Sequence, residues 1–97
     1  MSAYALSKRA KQDFQGIIRY TAKRWGKDQA RTYSEAIITT CEGLAEETVI
    51  SRSSDDIRQN LRKAKSASHF IYFEEREYEV FVIRILHQAM DTGRHLA

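Results

Sequence analysis

The sequence predicts an α+β domain in which an N-terminal helical hairpin packs on one face of a small antiparallel β-sheet. Three observations carry this. Two consecutive segments place apolar residues at spacings of three and four and meet at Gly26. The stretch from Ile57 to His87 is rich in β-branched and aromatic residues, and one short polar connection separates it from the helices. A chain of 97 residues suits one domain over 1–97 with a single modest core.

The elements follow in order. Tyr4-Ala5-Leu6 is a short apolar run suited to an opening strand. Ser7 then has the chemistry of an N-cap, because its hydroxyl can accept from the free amides of the first turn. Ala10, Phe14, Ile17, Ile18, Thr21 and Trp25 form one apolar stripe on a helix over 8–25. Gly26 is placed to end that helix in a left-handed conformation. A second stripe of Ala30, Tyr33, Ile37, Cys41 and Leu44, widened by Ile38 and Ala45, predicts a helix over 28–46. So short a join makes the two an antiparallel hairpin.

Residues 47–56 are polar and rich in turn formers, so they read as a connection. A basic strand over Ile57–Ser66, a second over Ser68–Phe73, a charged turn at 74–77 and a third strand over Tyr78–His87 complete an antiparallel meander. The opposite face of the sheet is expected to be partly open and concave, and the residues after His87 to form a short tail.

Charge is uneven. Residues 1–36 carry eight basic and three acidic side chains, residues 42–56 five acidic and one basic, and residues 58–65 four basic and none acidic. Two basic zones point to an acidic partner, either an acidic protein segment or nucleic acid. Cys41 stands alone, which removes an internal disulfide and any thiolate metal cluster, and its helical position suits a buried small hydrophobe. No stretch has the length of a signal peptide or a membrane span, so a cytoplasmic protein with no membrane role is expected. No metal or cofactor is expected.

Arg84 is the residue that best marks a site, since a cation inside so apolar a strand must be paired or open onto a groove. Strict alternation puts Phe81, Ile83, Ile85 and His87 under the helices. Val80, Val82, Arg84 and Leu86 then share the open face, where the guanidinium can meet a carboxylate or phosphate with Arg62 and Lys65 beside it. The simpler alternative pairs Arg84 with a glutamate of its own chain near 74–79.

Leu6-Ser7, Ile17-Ile18-Arg19-Tyr20-Thr21, Trp25-Gly26, Gln29-Ala30 and Tyr33 resemble the helical half of ParE-type toxins of the RelE/ParE superfamily. His69-Phe70-Ile71-Tyr72-Phe73, Val82 through Asp91 and His95-Leu96 resemble the sheet half, so the likeness runs from about residue 4 to 96. The resemblance implies the toxin of a type II toxin–antitoxin system, of the kind linked to plasmid stabilisation. It further implies inhibition of DNA gyrase, a block to replication, and neutralisation by a ParD-like antitoxin in a hetero-oligomer. The RelE branch implies the alternative, a ribosome-dependent mRNA endonuclease.

RNA cleavage needs an activating group, cations for the developing phosphate charge and an acid for the leaving oxygen. Arg62, Arg84 and His87 are what this chain offers, with Lys63 or Lys65 in support. It departs from the nuclease pattern in having no tyrosine after Tyr78 and no dense C-terminal basic cluster. Alternation also sends His87 and Arg84 to opposite faces, and His87 suits a strand-end histidine bonded to the next turn. The expected function is therefore binding, with no catalytic residue. Arg62, Arg84, Phe14, Ile18 and Tyr33 are the candidates for antitoxin contact, and Trp25, Met90 and Leu96 for target contact. No known DNA- or RNA-reading motif is present, so no sequence-specific nucleic-acid binding is expected.

Overall fold

The structure, a computed structural model, describes residues 3–90 and 92–96. In chain order the elements are β1 (Tyr4–Leu6), α1 (Lys8–Trp25), α2 (Lys27–Ala45), β2 (Arg52–Ser53), β3 (Arg62–Ser66), β4 (His69–Glu75), β5 (Val80–His87) and α3 (Thr92–Leu96). Ser7 caps α1, its hydroxyl accepting from the Ala10 amide at 3.0 Å while donating to the Ile83 carbonyl at 2.7 Å. Gly26 alone joins the two helices at φ +99°, a conformation that disfavours any side chain. The end of α2 needs a glycine for another reason. A Cβ at Gly43 would lie 2.3 Å from the Val49 side chain, which folds back against the helix there.

One five-stranded sheet runs β1-β5-β4-β3-β2. β3 to β5 form the expected antiparallel meander, β2 adds a two-residue antiparallel strand within the stretch read as a connection, and β1 pairs parallel with β5, so the sheet is mixed. The basic strand is shorter than its sequence pattern. Residues 54–61 turn instead, with the Ser54 amide donating to the Leu61 carbonyl and the Asn60 amide to Asp55 Oδ1, both at 2.7 Å. Asn60 takes φ +67° there, which asparagine tolerates better than most residues.

Strict alternation fails in β5. Tyr72 lies opposite Arg84 but Phe73 lies opposite Val82, so Ile83 is the extra residue of a β-bulge. The bulge resets the parity, and Val80, Val82 and Ile85 all join Ala10, Ile37, Cys41, Leu44, Ala64, Ile71 and Phe73 in the core beneath the helices. The expected grouping of Phe81, Ile83 and Ile85 under the helices is thus corrected for the first two. Ile83 packs on the other side of the sheet with Leu61, Tyr72, Leu86 and Leu96. That side is not the open surface expected: α3 and the 54–61 turn close a second small core on it. Cys41 is buried as expected, and burial, with Glu42 adding, pushes its thiol up to about 12. Ile38, expected to widen the α2 stripe, is exposed.

Candidate functional site

The bulge decides the fate of Arg84. β1 stops opposite Val82, so the edge of β5 beyond it has no strand partner. Asp13 of α1 fills that place. Its carboxylate accepts the Ile85 amide at 3.0 Å and takes a bidentate pair from Arg84, Nε at 2.8 Å and Nη2 at 3.0 Å. Arg84 Nη1 reaches the His95 carbonyl of α3 at 3.4 Å, and only 8% of the residue remains exposed. The hydrogen bonds that Arg84 donates to Asp13 hold the guanidinium pKa above its ordinary value. Arg84 is therefore not a free cation on an open face, as alternation implied, but a clamp joining β5, α1 and α3. The simpler alternative had the right chemistry and the wrong partner, since the carboxylate comes from 71 residues upstream.

Beside this clamp, a groove of about 1000 Å³ opens between α1, the start of α2 and the ends of β4 and β5. Its floor is Ile17, Thr21 and Ile85, and its rim carries Tyr20, Trp25 and Met90. Tyr20 is 64% and Trp25 65% exposed, a large aromatic surface for so small a chain. Gly16 lines the groove as well, and a Cβ added to it would touch nothing within 4 Å.

The far wall is a ring cluster. Tyr33 meets His69 edge-on with ring centroids 5.4 Å apart, and His69 meets His87 edge-on at 5.2 Å. The Ser68 amide donates to the Tyr33 hydroxyl at 3.2 Å, and the same hydroxyl hydrogen-bonds Nδ1 of His69. The Ala89 amide donates to His87 Nδ1 at 3.1 Å, which requires that nitrogen unprotonated. This is the bond to the following turn expected of His87. Burial, then the neighbouring His87, lowers the His69 pKa, with Asp13 opposing. The wall is thus made of two imidazoles and one phenol.

Other candidates scatter. Arg62 Nε donates to the Ser51 hydroxyl at 2.9 Å and lies 3.8 Å from Glu75, in a separate hollow of about 370 Å³. Arg62, Arg84 and His87 are thus held in three different settings, and the structure does not assemble them into one centre. Phe14 packs against the main core, and Ile18 is half-buried on α1. Tyr33, Trp25 and Met90 do come together around the groove. Leu96 does not join them: it is 3% exposed in the second core, which corrects its place among surface candidates. Gln12, Tyr20, Gln29 and His69 also line the groove, beyond the residues that sequence patterning marks. The signal for Gln12 and Tyr20 is the Gln12-Gly16-Tyr20 spacing of four, a narrow helix face bordering the apolar stripe, and Gln29 and His69 lie outside it.

Among the described residues no group of histidine, cysteine and carboxylate side chains is arranged to hold a metal, and no helix is long and apolar enough to cross a membrane.

Residues 4–92 match the family model described as "ParE toxin of type II toxin-antitoxin system, parDE". The chain is 35% identical over 96 residues to "Toxin ParE1" of Caulobacter vibrioides, covering 99% of each, and 34% identical over 98 residues to "Toxin ParE" of Escherichia coli, covering 100% of this chain and 95% of that one. A similar identity of 35% over 96 residues links it to "Toxin ParE1" of Mycobacterium tuberculosis. The fold is shared with a chain of the "Chromosomal ParDE TA system from P. aeruginosa", with a TM-score of 0.76 at 16% identity over 90% of this chain and 96% of that one.

Proposed function

We propose, because this chain belongs to the ParE toxin family of type II toxin–antitoxin systems, that it inhibits DNA gyrase in the cytoplasm and is silenced by a ParD-like antitoxin. It is the toxin of such a pair. Inhibition by binding needs an adhesive surface and no reaction centre. The observation that carries this reading is the groove, where Tyr20, Trp25, Tyr33 and Met90 ring an apolar floor. Exposed Trp and Tyr around a cleft are the residue types that dominate protein–protein affinity. An amphipathic antitoxin segment seated there would bury its apolar side on Ile17, Ile85 and Met90. Its carboxylates would lie near the basic residues flanking the rim, Arg19, Lys23 and Arg24. Tyr33 keeps its expected part in antitoxin contact, with Phe14 and Ile18 on the adjoining flank, and Trp25 and Met90 become groove contacts open to either partner. Arg62, part-exposed and paired with Glu75 at 3.8 Å, would meet an antitoxin carboxylate only in exchange for that partner. Arg84 acts through the clamp that fixes α1 against β5 and so holds the groove's shape.

The test is a supercoiling assay with purified gyrase. The chain is expected to inhibit supercoiling, and a stoichiometric amount of antitoxin to relieve the inhibition. Site-specific mRNA cuts on translating ribosomes, with supercoiling untouched, would overturn the reading in favour of an endonuclease.

A further inference from the structure

The sheet has a second side, and its chemistry is unlike that of the groove. We infer that the face turned away from α1 and α2 binds the phosphodiester backbone of a single nucleic-acid strand, without reading its sequence, through Arg52, Lys63 and Lys65. Directly opposite residues on antiparallel strands point the same way. The register therefore lays out one cross-sheet row, Arg52–Lys63–Tyr72–Arg84, and beside it a second, Lys65–Phe70–Leu86. Phe70 is half-buried, lies opposite Lys65 and has the Lys63 ammonium 4.8 Å from its ring centroid. Cations and an aromatic ring that the linear sequence keeps apart are interleaved here by strand pairing.

Other cations on or near this side are already neutralised: Arg84 by Asp13, Arg58 and Arg76 by Glu74, and Arg62 by Glu75. Among the described residues Arg52, Lys63 and Lys65 form no ion pair with a carboxylate. What they offer is uncompensated positive charge on a rigid strand pair.

The apolar groups of this face decide between an acidic protein and a nucleic acid. Leu61, Tyr72, Leu86 and Leu96 are all buried in the second core. An acidic polypeptide would find rim charges and only the part-covered Ile57, Phe70 and Ile83 as anchors, and exposed ion pairs by themselves add little affinity. A nucleic-acid backbone needs no anchor, because its affinity comes chiefly from releasing condensed counterions when cations meet phosphates. Lys63 and Lys65 stand in line along β3 with Phe70 beside them, a layout that follows one backbone and leaves a ring edge for a base. This inference stands on charge and register and is independent of the gyrase reading.

The test is fluorescence anisotropy of a labelled oligothymidylate with the full chain over a series of salt concentrations. Binding should weaken steeply with salt. The Lys63→Gln, Lys65→Gln double variant should make the log–log slope shallower by about 0.7 for each ammonium removed. A Lys8→Gln, Lys11→Gln control on α1 should leave the slope unchanged, and thermal melts of both variants should overlay the parent. The inference is overturned by no binding at low salt, by a slope that follows the α1 variant, by tighter binding of a duplex of the same length, or by equal competition from oligoglutamate of the same charge.

Discussion

The two sides of the sheet are built from the same strands yet present opposite chemistry. On the helix side, the ends of β4 and β5 stop short of full cover, and what shows is rings: Tyr20, Trp25, Tyr33, His69 and His87 around an apolar floor. On the other side the apolar groups are sealed by α3 and the 54–61 turn, and what shows is charge. The difference teaches where a small domain can keep adhesive surface. An apolar patch can stay exposed only where rigid neighbours hold it open, and here the holder is the Asp13–Arg84 clamp between α1 and β5.

Breaking that clamp should give the largest effect. Asp13→Ala leaves a buried guanidinium and the Ile85 amide without their acceptor, a loss of about 3–5 kcal/mol. The expected readout is a large drop in urea midpoint with an unchanged m-value. Asp13→Ala combined with Arg84→Met should recover part of it, because no unpaired charge then remains. A double variant no more stable than Asp13→Ala alone would deny Arg84 its role in joining the two sides.

The groove side should respond next. Trp25→Ala is expected to weaken antitoxin binding by at least 2 kcal/mol, about thirtyfold, while stability stays within about 0.5 kcal/mol. Isothermal titration beside a chemical melt separates the two. Gly16→Ala sharpens the same point with opposite signs. A methyl group there meets nothing within 4 Å, so the helix should gain up to about 1 kcal/mol. The same methyl projects into the groove and should reduce antitoxin affinity. A gain in both would place the partner elsewhere.

The ring wall supplies a pH dependence. His69 is held below its ordinary pKa of 6.5, so the unfolded chain binds its proton more readily than the folded one. Its contribution is fully present above about pH 6.5. It is lost as pH falls from there through the lowered folded value. Tyr33→Phe removes the hydroxyl that holds Nδ1 and should cost about 1 kcal/mol at neutral pH. NMR titration of the histidine ring protons would follow both changes, and an upward shift of His69 in the folded chain would contradict the effect of its burial. The smallest effect is expected on the cationic side, where Lys65→Gln should change stability by less than about 0.5 kcal/mol.

Much of the fold was legible in the residues because its signals are local. The Ser7 cap, the Gly26 stop and the two stripes depend on neighbours within four or five positions, and α1 and α2 appear within a residue of their expected bounds. The groove was half legible: Trp25, Tyr33 and Met90 stood out as candidates, while Tyr20 and the glutamines sat on a helix face that hydrophobic patterning reads as solvent. Leu96 was misplaced because a single leucine in a polar tail carries no period.

What the residues alone determined was every feature with a repeat or a cap behind it: two helices, a meander, a buried cysteine, and a motif series matching a toxin family. What tertiary structure decided was which way β5 faces and what Arg84 meets. A side chain's face follows a period of two only until a bulge inserts a residue, and the bulge is visible only in the pairing with β4. Asp13 finds the edge of β5 because β1 ends opposite Val82, leaving amides that some acceptor must satisfy. Neither condition is written within a few residues of position 84, since both arise where distant segments meet.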